Sequence, residues 1–222
     1  MRPVTLLVVA KAPVAGQAKT RLAEDLGGRP HLAADLAAAS LLDTVRACTD
    51  AAGAAACRLA LAGDLGAAAR GAELAAALDG WTLVEQHGRS LGERLATALS
   101  EVDGPVVQVG MDTPQVTPIL LHDLQARLVR HDAVLAPATD GGWWALGLRD
   151  GRTAAPLASV PMSTASAYAD TRAALEASGL RVVEGPMLTD VDHVAEMWSV
   201  ALLAGHTRFG RCVRELLEEV QR

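Results

Sequence analysis

Aromatic residues are nearly absent from this chain of 222 residues: one Phe, one Tyr and four Trp, 3% in all. Yet 50% of the residues are hydrophobic, so the core has to be built from Ala, Val and Leu, with helices and sheet packed closely. Cysteine is scarce as well. Cys48, Cys57 and Cys212 are odd in number, widely spaced and without a metal-ligand pattern, which predicts reduced core thiols in a cytoplasmic protein. Positive charge is in deficit: 20 Lys and Arg against 26 Asp and Glu leave a net charge of -6. That argues against a nucleic-acid partner, which usually needs a basic surface, but leaves room for a local basic pocket. No apolar run reaches the ~20 residues that span a bilayer, so no membrane partner is expected, and the N-terminal apolar run is too short for a signal peptide. The six histidines form no metal-spaced cluster. No Gly-x-Ser-x-Gly elbow appears, which argues against a serine hydrolase. With no internal repeat and no long linker, residues 1–222 are expected to form one domain.

Strand-like and helix-like segments alternate along the chain, which predicts an α/β fold with a mostly parallel sheet covered by helices. The expected strands are Val4–Ala10, Arg58–Ala62, Thr82–Gln86, Val106–Gly110, Ala133–Pro137, Trp143–Leu148 and Leu180–Glu184. The expected helices are Pro30–Thr49, Leu65–Leu78, Ser90–Val102, Pro118–Val129, Ser163–Ser178, His193–Leu203 and Thr207–Val220. Pro30 and Pro118 fit the first helical turn, where proline loses no hydrogen bond. Alanine-rich stretches read as helix rather than disorder. The Gly/Pro/Arg-rich stretch from Gly147 to Pro161 reads as a loop near the site or a change of sheet direction. The apolar C-terminal helix could pack on its own domain or on a second copy, so a homodimer is possible.

The loop Lys11–Leu22 follows the first strand and holds three cations, Lys11, Lys19 and Arg21, together with Pro13, Gly16 and Thr20. It falls at the carboxyl end of a strand, where open α/β sheets bind ligands. Side-chain cations and free backbone N–H groups together suit phosphate. A P-loop does not fit, because Ala18 and Pro13 occupy its two glycine positions, and the three-glycine dinucleotide fingerprint is missing. A phosphate loop richer in cations and poorer in glycine remains, beside the simpler reading of a solvated polar loop.

Carboxylates supply the complement. Asp112 ends the strand Val106–Gly110, and magnesium prefers one or two carboxylates plus substrate phosphate oxygens; a helix cap is the other use for an Asp here. Asp190 and Asp192 are two apart, which places them on one face of extended backbone. With Asp112 they could hold one or two metal ions, or Asp192 could cap the helix after it. Asp140-Gly141-Gly142 is a turn signal whose glycines would also let a ligand approach, with a Trp as pocket wall. In Gln86–Arg94, Arg89 or Arg94 could reach phosphate, or Glu93 and Arg94 could form an exposed helical face.

Taken in order, Lys-x-Pro-x-x-Gly-x-x-Lys-Thr-Arg-Leu at Lys11–Leu22, Ser-Leu-Gly-Glu-Arg at Ser90–Arg94, Gly-x-Asp-x-Pro at Gly110–Pro114, Asp-Gly-Gly at Asp140–Gly142 and Asp-x-Asp at Asp190–Asp192 resemble the DUF2064 family of glycosyltransferase-A-like proteins. That family lies within the nucleotide-diphospho-sugar transferase superfamily. The chain is similar, more distantly, to the guanylyltransferases that activate phospholactate or phosphoenolpyruvate. The resemblance implies one Rossmann-like three-layer α/β/α domain of GT-A type, binding a nucleotide and Mg²⁺ or Mn²⁺. It makes Lys11, Lys19 and Arg21 phosphate ligands and Asp112, Asp190 and Asp192 metal ligands. Pro13, Gly16, Thr20 and Arg94 are expected to complete the nucleotide site, and Asp112, Asp140 and Lys19 to act in catalysis. The expected activity is nucleotidyl transfer from an NTP to a small phosphate- or carboxylate-bearing acceptor. Glycosyl transfer from an NDP-sugar, with Asp140 as general base, and a non-catalytic nucleotide-binding protein are the alternatives. Trp143-Trp144 replaces the family's usual Tyr-Tyr, which should narrow or reshape the acceptor pocket. His193–Met197 replaces Thr-Pro-Glu-Asp-Leu after the Asp-x-Asp.

Overall fold

Seven short strands separated by alanine- and leucine-rich helices form one sheet in the computed structural model, which describes residues 3–220. The first two and last two positions of the expected domain lie outside the described residues. In chain order the elements are β1 (Thr5–Lys11), α1 (Thr20–Asp25), α2 (Pro30–Ala52), β2 (Cys57–Ala62), α3 (Gly71–Ala77), β3 (Thr82–Glu85), α4 (Leu91–Ser100), β4 (Val106–Val109), α5 (Pro118–Arg127), β5 (Ala133–Pro137), β6 (Trp143–Leu148), α6 (Ala167–Ala177), β7 (Val182–Glu184), α7 (Val194–Leu203) and α8 (Arg208–Val220). The sheet order is β3-β2-β1-β4-β6-β5-β7. All neighbours pair parallel except β6, which runs antiparallel to both β4 and β5.

Both faces of the sheet are covered, which is why the central strands are apolar throughout rather than alternating. Leu6 and Val8 of β1 pack with Leu41, Leu42 and Val45 of α2, beside side chains of α3 and α5. Leu7 and Val9 face the other way, toward Leu95 and Leu99 of α4 and Leu157. The result is the expected three-layer α/β/α arrangement. A third apolar cluster joins α1, α2, α7 and α8 through Leu22, Leu36, Met197, Phe209 and Val213. The C-terminal helix therefore packs on its own chain, and its start is tied down by buried Asp43 of α2, whose carboxylate accepts from the Arg208 and Phe209 N–H groups.

Four expectations need correction. The stretch after Gly147 is not a plain loop. Gly151–Ser159 forms a 3-10 segment packed against α4. Glycine makes that contact possible: a Cβ on Gly92 would lie 2.4 Å from the Leu157 carbonyl oxygen, and one on Gly151 2.3 Å from that of Leu99. Strand direction changes twice, at the Asp140–Gly142 turn that leads into β6 and again in the connection from β6 to β7, which contains this stretch. The helix expected over Leu65–Leu78 is split into a 3-10 turn at Leu65–Ala67 and α3, because Arg70 adopts a left-handed conformation (φ 52°). Its guanidinium there forms a two-pronged pair with Asp35, at 2.7 and 2.8 Å. The helix expected from Ser163 starts only at Ala167, since Ser163 is also left-handed (φ 61°). Finally, α1 was not expected as a helix at all; its six residues carry too little periodicity to register.

Candidate functional site

Strand order reverses about β1 and β4. β2 and β3 lie to one side of β1, and the later strands lie beyond β4. Ligands of open α/β sheets bind outside the strand carboxyl ends at such a point, and a cleft of about 780 Å³ opens here.

The loop after β1 enters from one side. The Ala12 N–H extends the sheet by donating to Ala62 O at 2.8 Å, and the Pro13 carbonyl accepts from Ala69 N–H at 2.9 Å. Gly16 turns the chain with φ 77°. Lys19, the residue before α1, is then forced into the left-handed region at φ 50° and ψ 46°. Such a conformation costs a residue with a Cβ roughly 1–2 kcal/mol, and it directs the lysine into the cleft. Lys11, Lys19, Thr20 and Arg21 line the cleft, whereas Pro13 and Gly16 shape the loop without lining it.

The carboxylates arrive from three other places. Asp112 follows β4 in a turn held from behind by Ser40 of α2, whose hydroxyl donates to Met111 O at 2.6 Å. The segment carrying Asp190 and Asp192 runs beside Ala138 and Thr139 at the end of β5. It is stitched to the Asp112 turn by Val191 N–H donating to Asp112 O at 2.9 Å. Val191 is buried in the third cluster. In extended backbone its two neighbours then face the opposite side, and both aspartates line the cleft. Asp140 joins them from the turn between β5 and β6.

Lys19 holds the centre. Its Nζ lies 2.7 Å from Oδ1 of Asp112 and 2.7 Å from Oδ1 of Asp192, although the two acids are 80 positions apart (192 less 112). Arg21 Nη1 adds a 3.4 Å contact to the second oxygen of Asp192. Burial on its own would lower the Lys19 pKa, but Asp112 and Asp192 outweigh it and the pKa is raised. Burial likewise works against ionised Asp192, and Lys19 with Arg21 overcomes it, leaving that carboxyl below its ordinary value. At Asp190 the attraction of Lys19 is too weak to prevail. Burial, and next the Asp140 carboxylate, push its pKa up to about 6.

Neither aspartate serves as a helix cap. Thr117 caps α5 through its hydroxyl, and the α7 entry is closed by Glu196 accepting from His193 N–H at 2.8 Å and by Asp25 accepting from Val194 N–H at 3.2 Å. The Asp-Gly-Gly segment is indeed a turn: Asp140 Oδ1 accepts from Gly142 N–H at 2.7 Å. Gly141 has to be glycine, since a Cβ there would sit 2.1 Å from Ala165 O and φ is 91°. Trp143 lines the cleft with its Nε1 donating to Thr171 Oγ1, and Trp144 is buried with its Nε1 donating to Pro186 O. Arg94 lines the cleft and Arg89 does not.

Sequence reasoning missed three contributors. Gln86 lies past the end of β3 and donates from Nε2 to Ala10 O and Ala60 O. Gln108 stands in β4, and the segment Met162–Ala165 forms the rim facing Asp140. Only Gln108 left a readable signal, as a lone amide in the apolar strand Val-Val-Gln-Val.

For a divalent cation the donor chemistry fits: hard carboxylate oxygens on four aspartates. Among the described residues, no three Asp, Glu, His or Cys side chains form a group that could hold a metal by themselves. Lys19 stands between Asp112 and Asp192, and Asp190 sits with Asp140. The arrangement suits a metal that takes one or two carboxylates and completes its shell with phosphate oxygens. Among the described residues, no helix is long and apolar enough to cross a membrane.

The fold is similar to nucleotide-sugar-transferase-like folds. The candidate nucleotide-diphospho-sugar transferase from Desulfovibrio desulfuricans G20 superposes with a TM-score of 0.79 at 24% identity, covering 97% of this chain and 95% of that one. A cytidylyltransferase from Leptospira borgpetersenii gives 0.59 at 12% identity, with 100% and 96% covered. The CMP:2-keto-3-deoxy-manno-octonic acid synthetase complexed with CTP gives 0.58 at 12% identity, with 92% and 99% covered. No curated protein matches the chain in sequence. Residues 44–164 match the model of DUF2064, described as an uncharacterized protein conserved in bacteria, and the chain belongs to that family. The matched span holds Asp112, Asp140 and Arg94, and it leaves Lys19, Asp190 and Asp192 outside.

Proposed function

We propose that this protein is a divalent-metal-dependent transferase acting on an activated nucleotide, and that its reaction is nucleotidyl transfer from an NTP to a small phosphate- or carboxylate-bearing acceptor. The observation that carries the reading is the Lys19 ammonium held between Asp112 and Asp192 at the β1/β4 crevice. A lysine in that position has two sets of partners to choose between: the carboxylates, or the phosphates of an incoming nucleotide. Lys19 and Lys11 move to the β- and γ-phosphates, joined by Arg21, and so neutralise the departing pyrophosphate. Asp112 and Asp192, released from Lys19, would hold Mg²⁺ or Mn²⁺ together with Asp190, and that ion would supply charge neutralisation at the phosphate oxygens. Nucleotide and metal therefore favour one another's binding.

An acceptor oxygen then attacks the α-phosphorus. One P–O bond forms, the bond to the β-phosphate oxygen breaks, and pyrophosphate leaves. The chain's part is positioning and charge rather than covalent chemistry. Relatives in fold described as cytidylyltransferases support this version. Glycosyl transfer is the second reading, favoured by the neighbour described as a candidate nucleotide-diphospho-sugar transferase and by Asp140, whose carboxylate lines the cleft and would act as general base on an acceptor hydroxyl. The leaving group separates the two. Each NTP and NDP-sugar is incubated with Mg²⁺ or Mn²⁺ and a panel of phosphorylated and carboxylic acceptors, and the products are followed by ³¹P NMR. Pyrophosphate release supports nucleotidyl transfer; NDP as the sole leaving product overturns it.

A further inference from the structure

Two buried polar atoms on the α4 side of the cleft have no partner in the protein. Gln108 is only 3% exposed, yet its Oε1 receives no hydrogen bond. Arg94 of α4 has a buried Nε with no acceptor. Val106, two residues before Gln108 on the same strand, packs with Leu95 and Leu99, so Gln108 projects from the sheet face that α4 covers. Both Gln108 and Arg94 line the cleft. Buried polar groups are nearly always satisfied, and one that is not demands a reason.

The surroundings narrow the reason. Beside Gln108 and Arg94, this part of the cleft is walled by Val9, Leu91, Leu95, Trp143 and Met162. The lysines and the four aspartates sit elsewhere, on the β1 loop and at the β4, β5 and Asp-x-Asp ends. A phosphate or carboxylate belongs with those charges. A flat, neutral group with apolar faces belongs here, and its edge must offer an N–H to Gln108 beside an acceptor for Arg94. Nucleobase edges carry such adjoining donors and acceptors. We infer that Gln108 is a specificity-determining residue that reads the nucleobase, accepting a hydrogen bond from a ring or exocyclic N–H while Arg94 Nε donates to a neighbouring ring nitrogen or carbonyl. The inference rests on the nucleotide reading above.

Gln108→Met tests it, since methionine keeps the length and removes both polar ends. Affinities for the four NTPs, each with Mg²⁺, are measured by calorimetry alongside inorganic tripolyphosphate, which has the charge and lacks the base. The unliganded variant should melt no lower than the parent, because an unsatisfied buried group has been removed. Its affinity for the preferred NTP should fall about tenfold, the preference among bases should flatten, and tripolyphosphate binding should be unchanged. An unchanged base preference overturns the inference, as does a parallel loss of tripolyphosphate binding, which would mark Gln108 as structural. If Gln108→Met fails to fold, Gln108→Asn, with its amide withdrawn by one methylene, should show the same selective loss. A parent protein that binds tripolyphosphate and NTPs equally overturns the base contact alone; one that binds neither overturns the nucleotide reading with it.

Discussion

Replacing Lys19 by methionine removes the ammonium and keeps most of the aliphatic stem. The backbone stays in its left-handed conformation, so the change isolates the charge. Lys19 is nearly enclosed, with 11% of its side chain exposed, while Asp112 and Asp192 keep 39% and 37%. Removing one partner of a fully buried pair costs roughly 3–5 kcal/mol. Here the two abandoned carboxylates can draw in water, which screens their repulsion, so the cost falls to about 1–2 kcal/mol. At ~2–4 °C per kcal/mol for a chain of this size, the melting midpoint drops by roughly 2–8 °C. The same variant leaves two carboxylates poised for a cation. Differential scanning calorimetry with and without Mg²⁺, in the absence of nucleotide, should show Mg²⁺ restoring much of the loss in Lys19→Met and doing little to the parent, whose lysine already fills the gap. Adding Asp192→Asn should abolish that restoration. A Lys19→Met variant as stable as the parent, or one that Mg²⁺ stabilises no more than the parent, would refute the idea that the lysine holds the cation position.

Asp190 sets a pH dependence. Its folded pKa of about 6 lies above the ordinary 3.8, so the folded state holds the proton more tightly between those values. Stability should fall as pH rises through that window and level off above it; Asp190→Asn should flatten the slope, seen in urea midpoints measured from pH 4 to 8. Gly141→Ala places a methyl against Ala165 O and forces an unfavourable φ; we expect several degrees lost in melting and a change in acceptor KM larger than in nucleotide affinity, and equal loss of both would speak against a local effect. Asp43→Ala leaves the Arg208 and Phe209 N–H groups without their acceptor and should cost about 1–2 kcal/mol, with hydrogen exchange accelerated first in α8. Asp140→Asn should lower turnover while leaving nucleotide affinity nearly intact if Asp140 acts on the acceptor, as kinetics at saturating nucleotide would show.

The sheet was legible because its strands are short, apolar and rich in Val and Leu, and because helices separate them. All seven were located, two with the observed boundaries and the others within two residues of them. What misled was chemistry that competes with periodicity. Arg70 breaks a helix that alanine composition favours, in a backbone conformation where its side chain pairs with Asp35. Ser163 delays another through its own left-handed backbone. At the site, the residue types were readable but their partners were not. Lys19 on the β1 loop and Asp192 near the other end of the chain carry no sign of each other in the sequence. Their pairing follows from Val191 entering the third apolar cluster, a tertiary fact. Gln86 was hidden because its work is to tie backbone together, and the Met162–Ala165 rim because nothing in its composition distinguishes it from a connection.

The contact between Lys19 and Asp192 joins residues 173 positions apart. A ribosome adding about 5–20 residues per second takes roughly 10–35 s to cover that distance. For that interval the three cations of Lys11–Leu22 have no counter-charge from the Asp-x-Asp. The Lys19–Asp192 contact thus forms only after β7 has been made. A truncated product ending before Asp190 would carry all seven strands while lacking Asp190 and Asp192 of the cleft. It would be a near-complete fold that keeps the cationic segment after β1 and lacks two of the four aspartates of the cleft.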